Sequence, residues 1–326
     1  MSDRRRMRIG VLGPGGVGGL IAGALERAGS EVVVIAREST AAVIEREGLR
    51  VSSVRLGEFV VHPRACQRVH GPEPLDALIV ATKAAGLRPA LERVAVEPAV
   101  VLPLLNGLDH LDVLRARFAP NSVLAGSIRV EADRPAPGVI VHTSPFLLVS
   151  MASHAPAARP AMRALAAALE QAQVPVQVLD SQAQVMWSKL VRLNALACVT
   201  SAYDVLLGEI RATPALRAEL AGAIEEASAV ARAEGAADVN AAKAIAELDA
   251  AHDTLGSSMQ RDIAAGREPE LDAIPGSVLR AGARHGIACP TIERLVARIQ
   301  ARIPARDRAA PGSLARRAGA RRAAAG

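Results

Sequence analysis

The stretch "GVLGPGGVGGL", residues 10–20, places six glycines in eleven positions and contains G-x-G-x-x-G as Gly13, Gly15 and Gly18. Its neighbours give the pattern meaning. "RIGVLG" (8–13) reads as a short buried strand, 17–28 as a helix ended by Gly29, and "EVVVIAR" (31–37) as a second strand. Strand, glycine turn, helix and strand within about 30 residues form a βαβ unit with a right-handed crossover. In that context Gly13 permits the tight turn, Gly15 lets the backbone approach a pyrophosphate, and Gly18 lets the helix lie close to the strand. Free N–H groups and the positive dipole end of the helix then face the diphosphate. Gly13, Pro14, Gly15, Gly16, Val17 and Gly18 are therefore the expected cofactor loop. A dinucleotide site that selects NAD usually ends its second strand in Asp or Glu. Here that strand ends in Arg37, whose planar fork suits a 2′-phosphate, so NADP(H) is the expected cofactor.

Outward from this unit the alternation continues. Strands are expected in "LDALIVATKA" (75–84), "AVVLPLLNGL" (99–108) and "SVLAGSIRVEA" (122–132), and helices in 87–95 and "LDVLRARFA". "GVIVHTS" and "FLLVSMA" read as antiparallel additions, and a helix near 156–172 leads to "VPVQVLD" (174–180). This is an α/β, doubly wound (Rossmann-type) parallel sheet domain over 1–179. From 180 to 305 the periodicity is helical without a convincing strand, which predicts a mainly helical substrate and catalytic domain. Residues 306–326, rich in Ala and Arg, are expected to form a disordered tail.

Composition excludes several classes. Half of the 326 residues are apolar, mostly Ala, Val and Leu, with only five aromatics. No apolar run reaches the roughly 18 residues of a membrane span, and no secretory signal is evident, so a cytoplasmic protein is expected. Cys66, Cys198 and Cys289 are isolated and the seven histidines scattered, which argues against disulfides and a metal site. The net charge of +6 resides mainly at the chain ends, without the aromatic and basic interleaving of a nucleic-acid surface.

"GPGGVGG" with Arg37, "ATK" (81–83), "LLNG" (104–107), "WSKL" (187–190) and "SSMQRD…REPELD…G" (257–276) occur in the order and spacing of ketopantoate reductases, also called 2-dehydropantoate 2-reductases. The chain resembles that family over about residues 7–303. The resemblance implies NADPH-dependent reduction of a 2-oxo acid to a 2-hydroxy acid, 2-dehydropantoate to pantoate in pantothenate biosynthesis. It implies Lys189 as the lysine that helps protonate the developing alkoxide, and Glu270 as the glutamate that accepts from and orients the substrate or product hydroxyl. Asn106 and Ser258 match substrate-binding positions; Asn106 and Lys83 also match the wall of the cofactor crevice. Asp262, four residues after Ser258, is taken as a structural partner. The helical domain is a candidate homodimer surface.

The sequence departs from the family's pattern where asparagines commonly stand four and eight residues after the lysine: here these are Leu193 and Ala197. Asn194 projects about 140° around the helix from Lys189 at about 100° per residue, away from that face. Thr200 returns to the lysine's face and is a candidate hydroxyl. The expected pocket is more apolar than a ketopantoate site. Two alternatives follow: a family member reducing a different, more apolar 2-oxo acid or ketone, and a catalytically silent NADP-binding sensor or scaffold.

Overall fold

A computed structural model describes residues 6–303; the tail expected from residue 306 lies outside the described residues. The chain opens with β1 (Arg8–Leu12), α1 (Gly16–Arg27), β2 (Glu31–Ile35) and α2 (Glu38–Glu47). A hairpin of β3 (Leu49–Ser53) and β4 (Gly57–Val61) precedes β5 (Arg64–Cys66). Next come β6 (Ala77–Val80), α3 (Leu87–Leu91), β7 (Val101–Pro103) and α4 (His110–Arg117). β8 (Ala125–Arg129), β9 (Ala132–Ala136), β10 (Val139–His142), β11 (Leu148–Ala152), α5 (Arg159–Gln171) and β12 (Val176–Val178) complete the α/β part.

The main sheet has the order β5-β2-β1-β6-β7 with every pair parallel. β1 and β6 are buried at every position and β2 at all but the first. Such continuous apolar runs are what a parallel strand covered on both faces requires. From β1 the chain winds outward through β2 to β5, then returns to β6 and β7 on the other side. The strand order thus reverses between β1 and β6, and the crevice at their carboxyl ends is where doubly wound sheets bind ligands.

Two smaller sheets, β4-β3-β10-β9 and β12-β11-β8, flank this one. The antiparallel expectation holds for β11 against β8 but is corrected for β10, which pairs parallel with β3 and antiparallel only with β9. The glycine-rich face of α1 explains the close approach of the second sheet. A Cβ at Gly16 would overlap the Ala132 carbonyl, and one at Gly23 would stand 2.8 Å from Val51 Cγ2. The helix expected over 87–95 ends at Leu91.

The rest of the described chain is helical: α6 (Gln182–Tyr203), α7 (Leu207–Ala212), α8 (Pro214–Ala233), α9 (Ala241–Asp249), α10 (Ser258–Ala264), a π-helical turn (Asp272–Gly276), α11 (Ser277–Arg284) and α12 (Pro290–Arg302). Ser181 caps α6 by accepting the Gln184 N–H, which satisfies one of the helix's orphan donors. α6 is apolar on nearly all sides and buries Trp187, Val191, Ala195 and Val199 in the helical core, as a central helix must. Among the described residues no helix is long and apolar enough to cross a membrane, and no group of His, Cys, Asp and Glu could hold a metal ion.

Candidate active site

A cleft of about 660 Å³ lies between the carboxyl ends of the parallel strands and α6, α9 and α10. Its floor begins at the glycine loop. Gly13 adopts φ +92°, in the left-handed region where Cβ-bearing residues are strained, and donates its N–H to Ile35 O at 3.0 Å. A Cβ at Gly18 would overlap the Gly13 carbonyl, whereas one at Gly15 would find nothing within 4 Å. The loop is therefore tight behind and open in front. The first turn of α1 carries no acidic residue, so its free N–H groups and positive end form a cradle for a phosphate-bearing group. The donor set fits a dinucleotide diphosphate.

At the end of β2, Arg37 is exposed, and its guanidinium makes no hydrogen bond or ion pair among the described residues. On the other side of the loop Lys83 follows β6. Its ammonium is 2.6 Å from Asp262 Oδ2 on α10, and Arg267 Nε reaches the other oxygen of that carboxylate at 2.8 Å. Asp262 is only 6% exposed, so this doubly paired carboxylate ties the strand ends to the helical part. The expectation of a structural partner understated it, for Asp262 also lines the cleft.

Asn106 follows β7, and the conformation of the next residue places it. Gly107 has φ +84°, and a Cβ there would overlap the Ala273 carbonyl of the π-helical turn. Only glycine lets the two segments meet so closely. Lys189 Nζ donates to Asn106 Oδ1 at 2.9 Å, and Asn106 Nδ2 donates to Glu270 Oε2 at 3.0 Å. The amide has one orientation that serves both neighbours, with its oxygen toward the ammonium and its nitrogen toward the carboxylate. Burial brings the Lys189 ammonium down from 10.5 to about 8; Glu270 opposes the shift, while Arg192 and Arg129 add to it. A second cavity of about 660 Å³ shares Lys83, Asn106, Arg267 and Glu270, so Asn106 and Glu270 stand between the two. His110, buried at the start of α4, is pushed by burial down to about 4 and is neutral at ordinary pH.

Of the residues singled out from the sequence, Gly15, Gly16, Val17, Lys83, Asn106, Lys189, Ser258 and Glu270 line the first cleft, and Gly13, Pro14, Gly18 and Arg37 do not. Ser258, the first residue of α10, is exposed to it. Thr200 is corrected: it is buried, its hydroxyl is bonded to Leu196 O at 2.7 Å and to Ser257 Oγ at 2.8 Å, and it holds the α10 cap instead of facing the cleft. Asn194 is fully buried, accepting from Cys198 Sγ at 3.6 Å. Leu193 lines the wall as the apolar expectation requires, whereas Ala197 is fully buried away from the cleft; Leu196, Arg129, Arg192 and Glu247 stand beside Leu193. Sequence reasoning missed all three charged residues. Only Arg192 carried a usable signal, its position one turn beyond Lys189 on the same helix.

Two family models match the chain in succession. Residues 9–151 match the family model described as ketopantoate reductase PanE/ApbA, and residues 182–302 match the model of its C-terminal part. An uncharacterized oxidoreductase of Bacillus subtilis (strain 168), YkpB, is 29% identical over 299 residues, covering 90% of this chain and 98% of the relative. The 2-dehydropantoate 2-reductase of Halobacterium salinarum is 28% identical over 294 residues, covering 89% of this chain and 96% of the relative. Among solved structures, a PanE/ApbA family ketopantoate reductase from Ralstonia eutropha JMP134 superposes with a TM-score of 0.78 at 28% identity, covering 91% of this chain and 98% of that one. A D-mandelate dehydrogenase in ternary complex with NADH and anilino(oxo)acetate shares the fold, with a TM-score of 0.82 at 22% identity and coverage of 91% and 98%.

Proposed function

We propose, since the chain belongs to the ketopantoate reductase family, that it reduces a 2-oxo acid to the 2-hydroxy acid with NADPH. It is an oxidoreductase acting on CH–OH groups. In this reading residues 1–179 hold the dinucleotide and residues 180–305 supply the acid. The observation that carries the reading is the hydrogen-bonded chain Lys189–Asn106–Glu270, set in the cleft beside an open glycine cradle.

The cradle at Gly13–Gly18 would hold the diphosphate, and the unpaired Arg37 fork supports a preference for a 2′-phosphate over a bare ribose hydroxyl. When bound, a reduced nicotinamide supplies the hydride. The protein's part is electrostatic and protonic. The Lys189 ammonium faces the carbonyl oxygen, stabilises the alkoxide charge as it develops, and gives up a proton. With its pKa lowered to about 8, it is still charged near neutrality yet a stronger acid than an ordinary lysine. Asn106 keeps the ammonium aimed, and Glu270 supplies the counter-charge that keeps it protonated and accepts from the product hydroxyl. Ser258 offers its hydroxyl to the substrate carboxylate.

The relatives named 2-dehydropantoate 2-reductases make 2-dehydropantoate the first substrate to test. Leu193, which lines the cleft where the family commonly has an asparagine, supports a second reading in which another 2-oxo acid is preferred. Initial rates of NADPH and NADH oxidation with 2-dehydropantoate and a panel of 2-oxo acids test both. The reading predicts faster turnover with NADPH and activity with at least one of these acids. Cofactor binding without turnover of any of them would leave the silent cofactor-binding alternative.

A further inference from the structure

The wall of the cleft beyond Lys189 carries two cations that have no contact role in the proposed reduction. Arg192 lies one turn further along α6, and Arg129 lies at the carboxyl end of β8. Both reach toward Glu247 on α9, Arg192 Nε at 3.7 Å and Arg129 Nη2 at 3.6 Å from the same carboxylate oxygen. These separations exceed hydrogen-bonding range, and neither guanidinium makes a hydrogen bond among the described residues. The contrast within α9 is informative: two residues on, Asp249 takes Arg217 in a bidentate pair at 2.9 and 2.8 Å. A tie built for stability looks like the second arrangement.

The arginine side chains are 25% and 32% exposed, and they line the same cleft as Lys189. Two guanidiniums facing one carboxylate leave a net positive charge in a partly desolvated wall, with most of ten N–H donors unused. Burial and, after it, the neighbouring Arg129 charge push Arg192 below its ordinary range, while Glu247 opposes them. Beside Arg192 the wall is lined by Leu193 and Leu196, four and seven residues after the lysine and therefore on its face. Along α6 the order is thus the acid, the Arg192 cation one turn on, and an apolar strip, with Glu247 of α9 facing the cation.

We propose that Arg129 and Arg192 form a subsite for a second anionic group of the substrate, so that the preferred substrate is a 2-oxo acid bearing a carboxylate at the far end of a short methylene chain. The inference rests on the reductase reading above and names its substrate class. The 2-oxo carboxylate itself is bonded to the reacting carbon and stays at the Lys189 and Ser258 end. The distal carboxylate displaces the loosely held Glu247 as the partner of the two arginines.

The test compares kcat/KM with NADPH for 2-oxo diacids (oxaloacetate, 2-oxoglutarate, 2-oxoadipate) and straight-chain 2-oxo monoacids of matched length, with 2-dehydropantoate alongside. One diacid is expected to exceed its matched monoacid at least tenfold. Replacing a charge-assisted, forked contact is expected to lower that ratio by about tenfold to a hundredfold in Arg192→Gln or Arg129→Gln. Glu247→Gln removes the internal competitor and is expected to raise the ratio, the opposite of what losing a structural ion pair does. It also keeps the proposal testable if the arginine variants fold poorly. A wild-type preference for monoacids overturns the proposal. An equal loss for both classes in Arg192→Gln also overturns it, placing the arginines on the 2-oxo carboxylate, as does a change confined to the cofactor KM. Turnover with monoacids but no diacid preference sinks the subsite alone; no turnover with any acid sinks the reductase reading and the subsite with it.

Discussion

Replacing Glu270 by Gln tests whether the carboxylate acts on Lys189 through its charge. The hydrogen bonds of 2.9 and 3.0 Å, joined across the Asn106 amide, hold the ammonium and carboxylate about 7 Å apart. Coulomb's law at about 7 Å with an effective dielectric of about 20 to 40 gives about 1.2 to 2.4 kcal/mol, or about one to two pH units on the lysine. The sign follows from the charges: the carboxylate favours the ammonium, so its removal makes Lys189 a stronger acid. In the proposed mechanism activity requires protonated Lys189, so kcat/KM in the wild type is expected to fall as pH rises through about 8. In Glu270→Gln the same fall is expected about one to two pH units lower. Gln preserves the side-chain volume and can still accept from Asn106 Nδ2, so the charge is the main change. The assay is the pH profile of kcat/KM, which reports the free enzyme's acid. A loss of rate with an unmoved or raised midpoint would refute the argument and leave Glu270 a hydrogen-bonding residue only.

Arg37→Gln is expected to raise the KM for NADPH about tenfold or more while changing that for NADH little, measured by initial rates with each cofactor. Gly107→Ala forces a Cβ into the left-handed region against the Ala273 carbonyl and is expected to cost at least about 2 kcal/mol by urea unfolding. It also displaces Asn106, so activity falls further than stability alone accounts for. His110 has a folded pKa of about 4, below its unfolded value, so the unfolded chain binds the extra proton. Stability is therefore expected to fall as pH drops from about 6.5 toward 4, by up to about 1.36 kcal/mol per pH unit from this residue, and His110→Leu should flatten that slope.

The parts of the fold legible in the sequence are those with a stereochemical or periodic requirement. The buried runs of β1, β2 and β6 could only be covered strands, and Gly13 and Gly18 stand where a side chain would be strained or would collide. The hairpin β3–β4 and the edge strand β9 left no such trace. β4 and β9 are largely exposed, so tertiary pairing and not hydrophobic pattern makes them strands. At the candidate site, Lys189, Asn106 and Glu270 were singled out by the family resemblance, yet their mutual contacts join positions 83 and 164 residues apart, which no local pattern encodes. Thr200 shows the limit of helix-face arithmetic. It lies on the angle expected, but the chain fills that direction with Ser257 before the cleft begins. Arg129 and Glu247 come from a strand end and a separate helix, and only folding sets them beside Arg192.

The most direct measurement is the single-turnover rate of NADPH oxidation with a saturating 2-oxo acid in the wild type and in Lys189→Ala, with cofactor affinity measured separately by fluorescence titration. If Lys189 stabilises the alkoxide and supplies its proton, the hydride-transfer rate falls by about a hundredfold or more while NADPH still binds. Equal rates in the two proteins would contradict the account, because the proton and the charge stabilisation would then come from elsewhere.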